Sequence, residues 1–243
     1  MWPSGEGCSC PRRRTGLALC LTGVIVAGCS SDKSTPRAHS SPEANKPGLA
    51  VATDAAAALE KAGAVRLSGF LGEPATGKPH GVNMQMQSDG STGTFTVGAS
   101  VVSLIRAGGV TYVKGPAGYF ASQGITAANA AKLANRWLRL PADSSLTTAF
   151  RLTDLITSFT SPAAGVTVNA KVTSTKLNGK PVLVVTESDG AQLDVAATAP
   201  PYPLRLVSAP KSGRAVAILS GFGNHVGITA PKGAVDATKL VPQ

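Results

Sequence analysis

The chain has 243 residues, with 23 Lys and Arg against 13 Asp and Glu, a formal net charge of +10, and only 5% aromatic residues. A basic balance with no Lys/Arg block longer than Arg12-Arg13-Arg14, and with so few aromatics, argues against a nucleic-acid reader. The cysteines are Cys8, Cys10, Cys20 and Cys29, so the rest of the chain has no thiol with which to build a disulfide scaffold or a cysteine metal site.

Arg12 to Arg14 precede Gly16–Val26, a stretch without charge. As a helix it spans about 16 Å at ~1.5 Å per residue, short of the ~30 Å core of a bilayer. A basic start, a short apolar core and small residues at its end describe an export signal over residues 1–28. The end reads Val26-Ala27-Gly28-Cys29 and resembles the bacterial lipobox, with Val in place of the usual Leu. The resemblance implies that the Cys29 sulfur receives a diacylglyceryl group and that cleavage makes Cys29 the new N-terminus. An ordinary secretory signal with an incidental cysteine is the alternative. Two acyl chains anchor stably where one binds only marginally. The expected location is therefore the cell membrane, lipid-anchored on its outer, extracytoplasmic face.

Residues 29–48 are rich in Ser, Pro and charge and lack apolar periodicity, so they are expected to form a disordered tether. A flexible segment of that length has a typical end-to-end distance of roughly 25 Å. His39 falls within it and is expected to be solvated. Removing the leader leaves a mature net charge of +8. Export disfavours nucleic acid, so the two readings of that charge are attraction to anionic headgroups and a generally basic surface.

Residues 49–243 suit a single domain. Leu49–Ala64 is expected to be a helix, capped by Thr53 or Asp54 and ended by Gly63. Val65 and Leu67 then begin an alternation. Val82, Met84 and Met86 alternate with Asn83, Gln85 and Gln87, and Ser88-Asp89-Gly90 signals a hairpin turn. Phe95 and Val97 repeat the pattern, and Ala107-Gly108-Gly109 joins two further strands. These elements predict an antiparallel meander.

The middle changes period. Ile125, Ala128, Leu133 and Trp137 recur at near-helical spacing and stop before Pro141. Leu146, Ala149, Phe150, Leu152, Ile156 and Phe159 predict a second inserted helix, bounded by Ser144 or Ser145 and by Pro162. Strands resume from Val166, with hairpin turns at Asn178-Gly179 and Asp189-Gly190. The fold class is α+β: a long antiparallel sheet of about ten or eleven strands that must curl, covered by three helices.

The phrases "GVTYVKGPAGYFAS", "ANRWLRLP", "PYPLRLVSA" and "GITAPKGAVD" resemble the mycobacterial-type lipoproteins of the LppX/LprG kind, which are similar in shape to the LolA and LolB carriers. The resemblance covers most of residues 49–240 and rests on element order and short phrases. It implies a half-open β-barrel around a helical insert, with an apolar cavity for the acyl chains of a lipid or glycolipid. It further implies transfer across the cell envelope, without covalent chemistry and with an envelope transporter as a possible partner. It fixes no ligand residue.

Alternation alone nominates Val82, Met84, Met86, Phe95, Val97, Leu104, Tyr112, Trp137, Phe150 and Ile156 as cavity wall. An apolar strand face is more often closed core than ligand wall, and that reading stands for each of them. Met would give the wall an adaptable surface. A charge in place of Met84 or Phe150 is expected to weaken lipid loading while leaving the strands intact. No enzyme is expected: His80 and His225 show no metal-ligand spacing, and no nucleophile elbow or HExxH sequence is present. No cofactor is implied. The competing function is an envelope scaffold or protein-interaction module with a filled interior. It predicts a concave face crowded by large side chains, where a carrier predicts a void of several hundred Å³.

Overall fold

The computed structural model describes residues 45–72, 79–212 and 215–237. The expected leader, Cys29, and all of the tether before Asn45 lie outside the described residues.

Helix α1 (Gly48–Ala62) is Ala-rich, which favours helix, and ends at Gly63. Gly63 takes the left-handed conformation, with φ 67°, and its N–H bonds the Leu59 and Glu60 carbonyls. Val51, Ala52, Ala55, Ala56 and Leu59 recur every three or four residues and form the buried face. Small alanines there let the helix sit close to the sheet.

Five strands follow in a meander: β1 (Ala64–Gly72), β2 (Pro79–Gln87), β3 (Gly90–Val97), β4 (Ser100–Ala107) and β5 (Val110–Lys114). The insert comprises α2 (Ala117–Ser122), α3 (Ala127–Leu133), the two-residue strand β6 (Leu138–Arg139), a 3₁₀ turn at Ser145–Thr147, and α4 (Leu152–Ser158). The chain continues through β7 (Thr173–Leu177), β8 (Lys180–Thr186), β9 (Gln192–Ala196), β10 (Pro203–Val207), β11 (Val216–Ser220) and β12 (Val235–Asp236).

All twelve strands form one sheet in the order β12-β6-β5-β4-β3-β2-β1-β11-β10-β9-β8-β7. It is curled and unclosed: β12 and β7 are its edges, and no ladder joins them among the described residues. Every neighbouring pair is antiparallel except β12 and β6, which run parallel. The expected α+β class and curled sheet are thus present, with a mixed edge where an all-antiparallel sheet was expected. The strands beyond the expected number are the short β6 and β12, and α2 is the added helix.

Both inserted helices are shorter than their periodicity predicted: α3 ends where Ala134 turns extended, at ψ 127°, and a left-handed residue marks each break. Asn135 and Phe150 adopt φ of 57°, a left-handed conformation that no helix continues through. At Asn135 the chain turns so that Leu138 and Arg139 can pair with β5. At Phe150 it turns so that only Leu152–Ser158 remains helical. The expected strand around Val166–Val172 is reduced to one bridge between Val168 and Glu187.

The register assigns two faces and two poles. Val65, Leu67, Met84, Met86, Val102, Leu104, Val113, Leu193, Val195, Ala217 and Leu219 belong to one buried cluster with the inner face of α1. One pole, where α1 hands over to β1, carries Ala64 opposite Gln87 and Gly90 opposite Ala107. The other pole carries Leu71 opposite His80, Val97 opposite Ser100, and Val207 opposite Val216.

Candidate ligand-binding site

Among the described residues the inward rows are closely packed mid-sheet and bound crevices at the second pole. Met84 and Leu104 are 0% exposed and Met86 is 2% exposed, so these three nominated wall residues are packed core in this structure. At the second pole the inward rows separate from the insert and leave two crevices that share Leu71 as a wall.

The larger crevice measures about 280 Å³. Leu71, Val82, Phe95 and Val97 line it from the sheet, and Leu146, Ala149 and Phe150 close it from the insert. Val82 pairs with Phe95 across β2 and β3, so the two side chains stand on one face. The Phe150 ring lies 5.7 Å from Phe95, tilted by 39°. The Ser91 hydroxyl donates to the Phe150 carbonyl and pins this turn to β3. The polar groups of the wall are turned to local partners. His80 Nδ1 bonds the Thr96 carbonyl at 2.8 Å, and since a carbonyl only accepts, Nδ1 carries the proton. The Thr96 hydroxyl accepts from the Gly81 N–H at 2.6 Å. His80, expected in a turn, therefore lies within β2.

The smaller crevice measures about 160 Å³ and lies between α4 and strands β8 to β11. Phe159, Val185, Leu193, Leu206 and Ala217 supply apolar wall, and Glu187, Gln192 and Ser208 stand at its rim. Burial, and then the neighbouring Asp189 carboxylate, raise the Glu187 pKa above the ordinary carboxylate value.

The nominated residues thus fall into three groups. Val82, Phe95, Val97 and Phe150 meet around one crevice. Met84, Met86 and Leu104 lie in the closed core, and Ile156 packs against it from α4. Tyr112 pairs with Ile105 and Arg139, on the face opposite the buried Leu104 and Val113. Trp137, just before β6, holds the Lys114 ammonium 5.1 Å from its ring centroid. Sequence reasoning missed Leu71, Leu146 and the whole second crevice. Leu71 was signalled by the alternation Val65, Leu67, Gly69, Leu71 along β1, followed to its end.

Among the described residues, no group of three or more His, Cys, Asp or Glu is placed to hold a metal, and no helix is long and apolar enough to cross a membrane. What the arrangement can do chemically is exclude water from a short apolar chain.

No protein-family model and no curated protein matches the chain. Among solved structures it is similar to LprF from Mycobacterium bovis, with TM-score 0.51 and 13% identity over 77% of this chain and 100% of that one. It also aligns with the Mycobacterium tuberculosis lipoprotein LppX, with TM-score 0.45 and 15% identity over 75% of this chain and 98% of that one. At such identities the likeness speaks for fold alone: the chain, with its curled, unclosed sheet, shares the overall fold of LprF.

Proposed function

We propose that this protein is a cell-envelope lipoprotein that holds acyl chains of a lipid or glycolipid in the apolar crevices at one pole and carries or presents them across the envelope. The observation that carries this reading is the 280 Å³ crevice between β2, β3 and the Phe150 turn, whose wall is aliphatic and aromatic apart from His80 and Thr96. Ligand pockets begin at about 300 Å³, so the space suits part of one tail more than a whole lipid. Each methylene moved out of water gains about 0.8 kcal/mol, so eight seated methylenes contribute on the order of 6 kcal/mol. No bond is made or broken in such a role, and no catalytic group is required.

In this reading residues 49–243 form the lipid-binding domain, and Val82, Phe95, Val97 and Phe150 belong to its wall. Cys29 carries the acyl anchor, and residues 29–48 link it to the domain on the outer face of the membrane. An envelope transporter is one possible protein partner. The filled core around Met84, Met86 and Leu104 favours the second reading, an envelope scaffold without a ligand.

Native mass spectrometry of the protein purified from its own host separates the two. Carriage predicts additional lipid mass that solvent extraction removes. A single mass, that of the chain with its covalent modifications, unchanged by extraction, overturns it.

A further inference from the structure

Single exposed apolar side chains are normal on a protein surface, but a clustered set marks a contact site. The exposed large apolar residues among those described are Leu49, Phe70, Val101, Val216, Ile218 and Val226. Four of them lie at the pole of the crevices. Phe70, 55% exposed, precedes Leu71 at the end of β1, and Val216 lies beside it at the start of β11. Val101, 59% exposed, follows the turn between β3 and β4 at that same pole. Leu49 is in the first turn of α1.

The path of the chain sets where α1 begins. The Gly48 N–H bonds the Ala170 carbonyl at 3.1 Å, and a Cβ on Gly48 would meet Val168 and the Asn169 carbonyl. Val168 lines the smaller crevice. The N-terminal segment of the chain, residues 1–44, therefore joins the domain at the pole where the crevices open. Any membrane anchor in that segment keeps this pole, rather than the opposite one, within the tether's reach of the bilayer. Among the described residues, Lys46, Lys171 and Lys211 stand near this pole with Asp54, Glu187 and Asp189, a mixture of both signs, and Lys46 is paired with Asp54 at 2.6 Å.

We infer that this pole is a membrane-docking face: Leu49, Phe70, Val101 and Val216 sink into the headgroup boundary of a lipid bilayer and bring the crevice mouths against the acyl layer. Apolar side chains buried at that depth bind in proportion to their area, with no need for a specific headgroup. The inference deepens the proposed carrier role and rests on it for its purpose, though docking and loading are read separately.

The test uses the full chain purified from host membranes, with Trp2 and Trp137 replaced by Phe, in phosphatidylcholine vesicles that carry brominated acyl chains. Single reporters Phe70→Trp, Val101→Trp and Val216→Trp are compared with Val226→Trp. Val226 lies at the opposite pole, where its backbone bonds the Gln87 side chain. Bromine quenching several-fold stronger at the first three positions is expected. Equal quenching at Val226→Trp, or none at any position, overturns the docking face. Adding Phe70→Asp should reduce quenching of the Val216→Trp reporter, and an unchanged signal counts against it. Native mass spectrometry of the same samples reads lipid loading, so loss of docking with lipid still bound removes this inference and leaves the carrier reading standing.

Discussion

Phe150 packs its ring 5.7 Å from that of Phe95 while its own backbone is held at φ 57°. A bulky residue pays for that left-handed conformation, and the Ser91 bond to its carbonyl together with the ring contact holds it there. The pair joins insert to sheet at the wall of the larger crevice. Phe150→Ala should cost about 2 kcal/mol, less than the ~3–5 of a fully buried Phe because this ring is half-buried. Phe150→Asp should retain the β-rich circular dichroism spectrum and lose co-purifying lipid. Undiminished lipid with Phe150→Asp would remove this residue from the wall.

Met84 requires a different expectation from the one its sequence pattern prompted. It is fully buried, so no water reaches it to solvate a charge. Met84→Asp should unfold the domain, because an unpaired buried charge costs several kcal/mol. Met84→Leu should cost less than about 1.5 kcal/mol. Urea denaturation of the two variants checks both, and a stable Met84→Asp protein would show that the site is wetter than this packing allows.

Gly93 stands opposite Met84 on β3 with φ 155°. A Cβ there would lie 2.2 Å from the Asn83 carbonyl oxygen and 2.8 Å from the Met84 Cα, both backbone atoms that cannot swing aside. Gly93→Ala should destabilise by roughly 3 kcal/mol or more, as strain and clash add. Gly108→Ala, at φ 56° with nothing within 4 Å of its Cβ, should cost only about 1 kcal/mol. Equal denaturation midpoints for the two variants would contradict the packing described.

Asp194 is 0% exposed on β9, and its Oδ2 lies 2.6 Å from Arg205 Nη2 on β10. Burial raises its pKa, and attraction to Arg205 offsets this only in part. A raised folded pKa means that the native state binds the proton more readily. The cost of the buried charge is therefore present above the folded pKa and is relieved as pH falls through it. Arg205→Met removes the partner and should destabilise by about 2 kcal/mol at neutral pH, below the ~3–5 of a fully enclosed pair because Arg205 is partly exposed. The difference from wild type should shrink on acidification toward pH 4, measured by thermal melts. A difference that grows with acid would reverse the sign argued here.

Lys114 over Trp137 is a surface contact on the outer side of β5. Lys114→Ala should cost only about 0.5–1 kcal/mol, and Trp137→Leu should leave lipid loading unchanged. Loss of loading with Trp137→Leu would move the ligand to the outer face.

Much of the sheet was legible in the residues because period-two alternation is a local property. Val82, Phe95 and Val97 could be assigned to one face from their neighbours alone, and the paired turns at Gly108-Gly109 and Asn178-Gly179 do adopt the positive φ that such dipeptides supply. The insert was less legible. Its helical spacing was real over short stretches, but Asn135 and Phe150 were turned left-handed by distant partners, namely the β5 edge and the Ser91–Phe95 face. Alternation also does not distinguish Val82 from Met84: both point inward and both are buried, and only the placement of the Phe150 turn leaves a crevice against one of them.

By itself the sequence determined the α+β class, the hairpin positions and the inward rows, because these follow from side-chain period and turn chemistry within a few residues. Tertiary structure decided where the interior stays open. That depends on how far the Phe150 turn and the end of α4 stand from the same rows, a relation between segments distant in the chain. Packing at close range fills the middle of the sheet and leaves crevices at one pole, and no local pattern contains that distance.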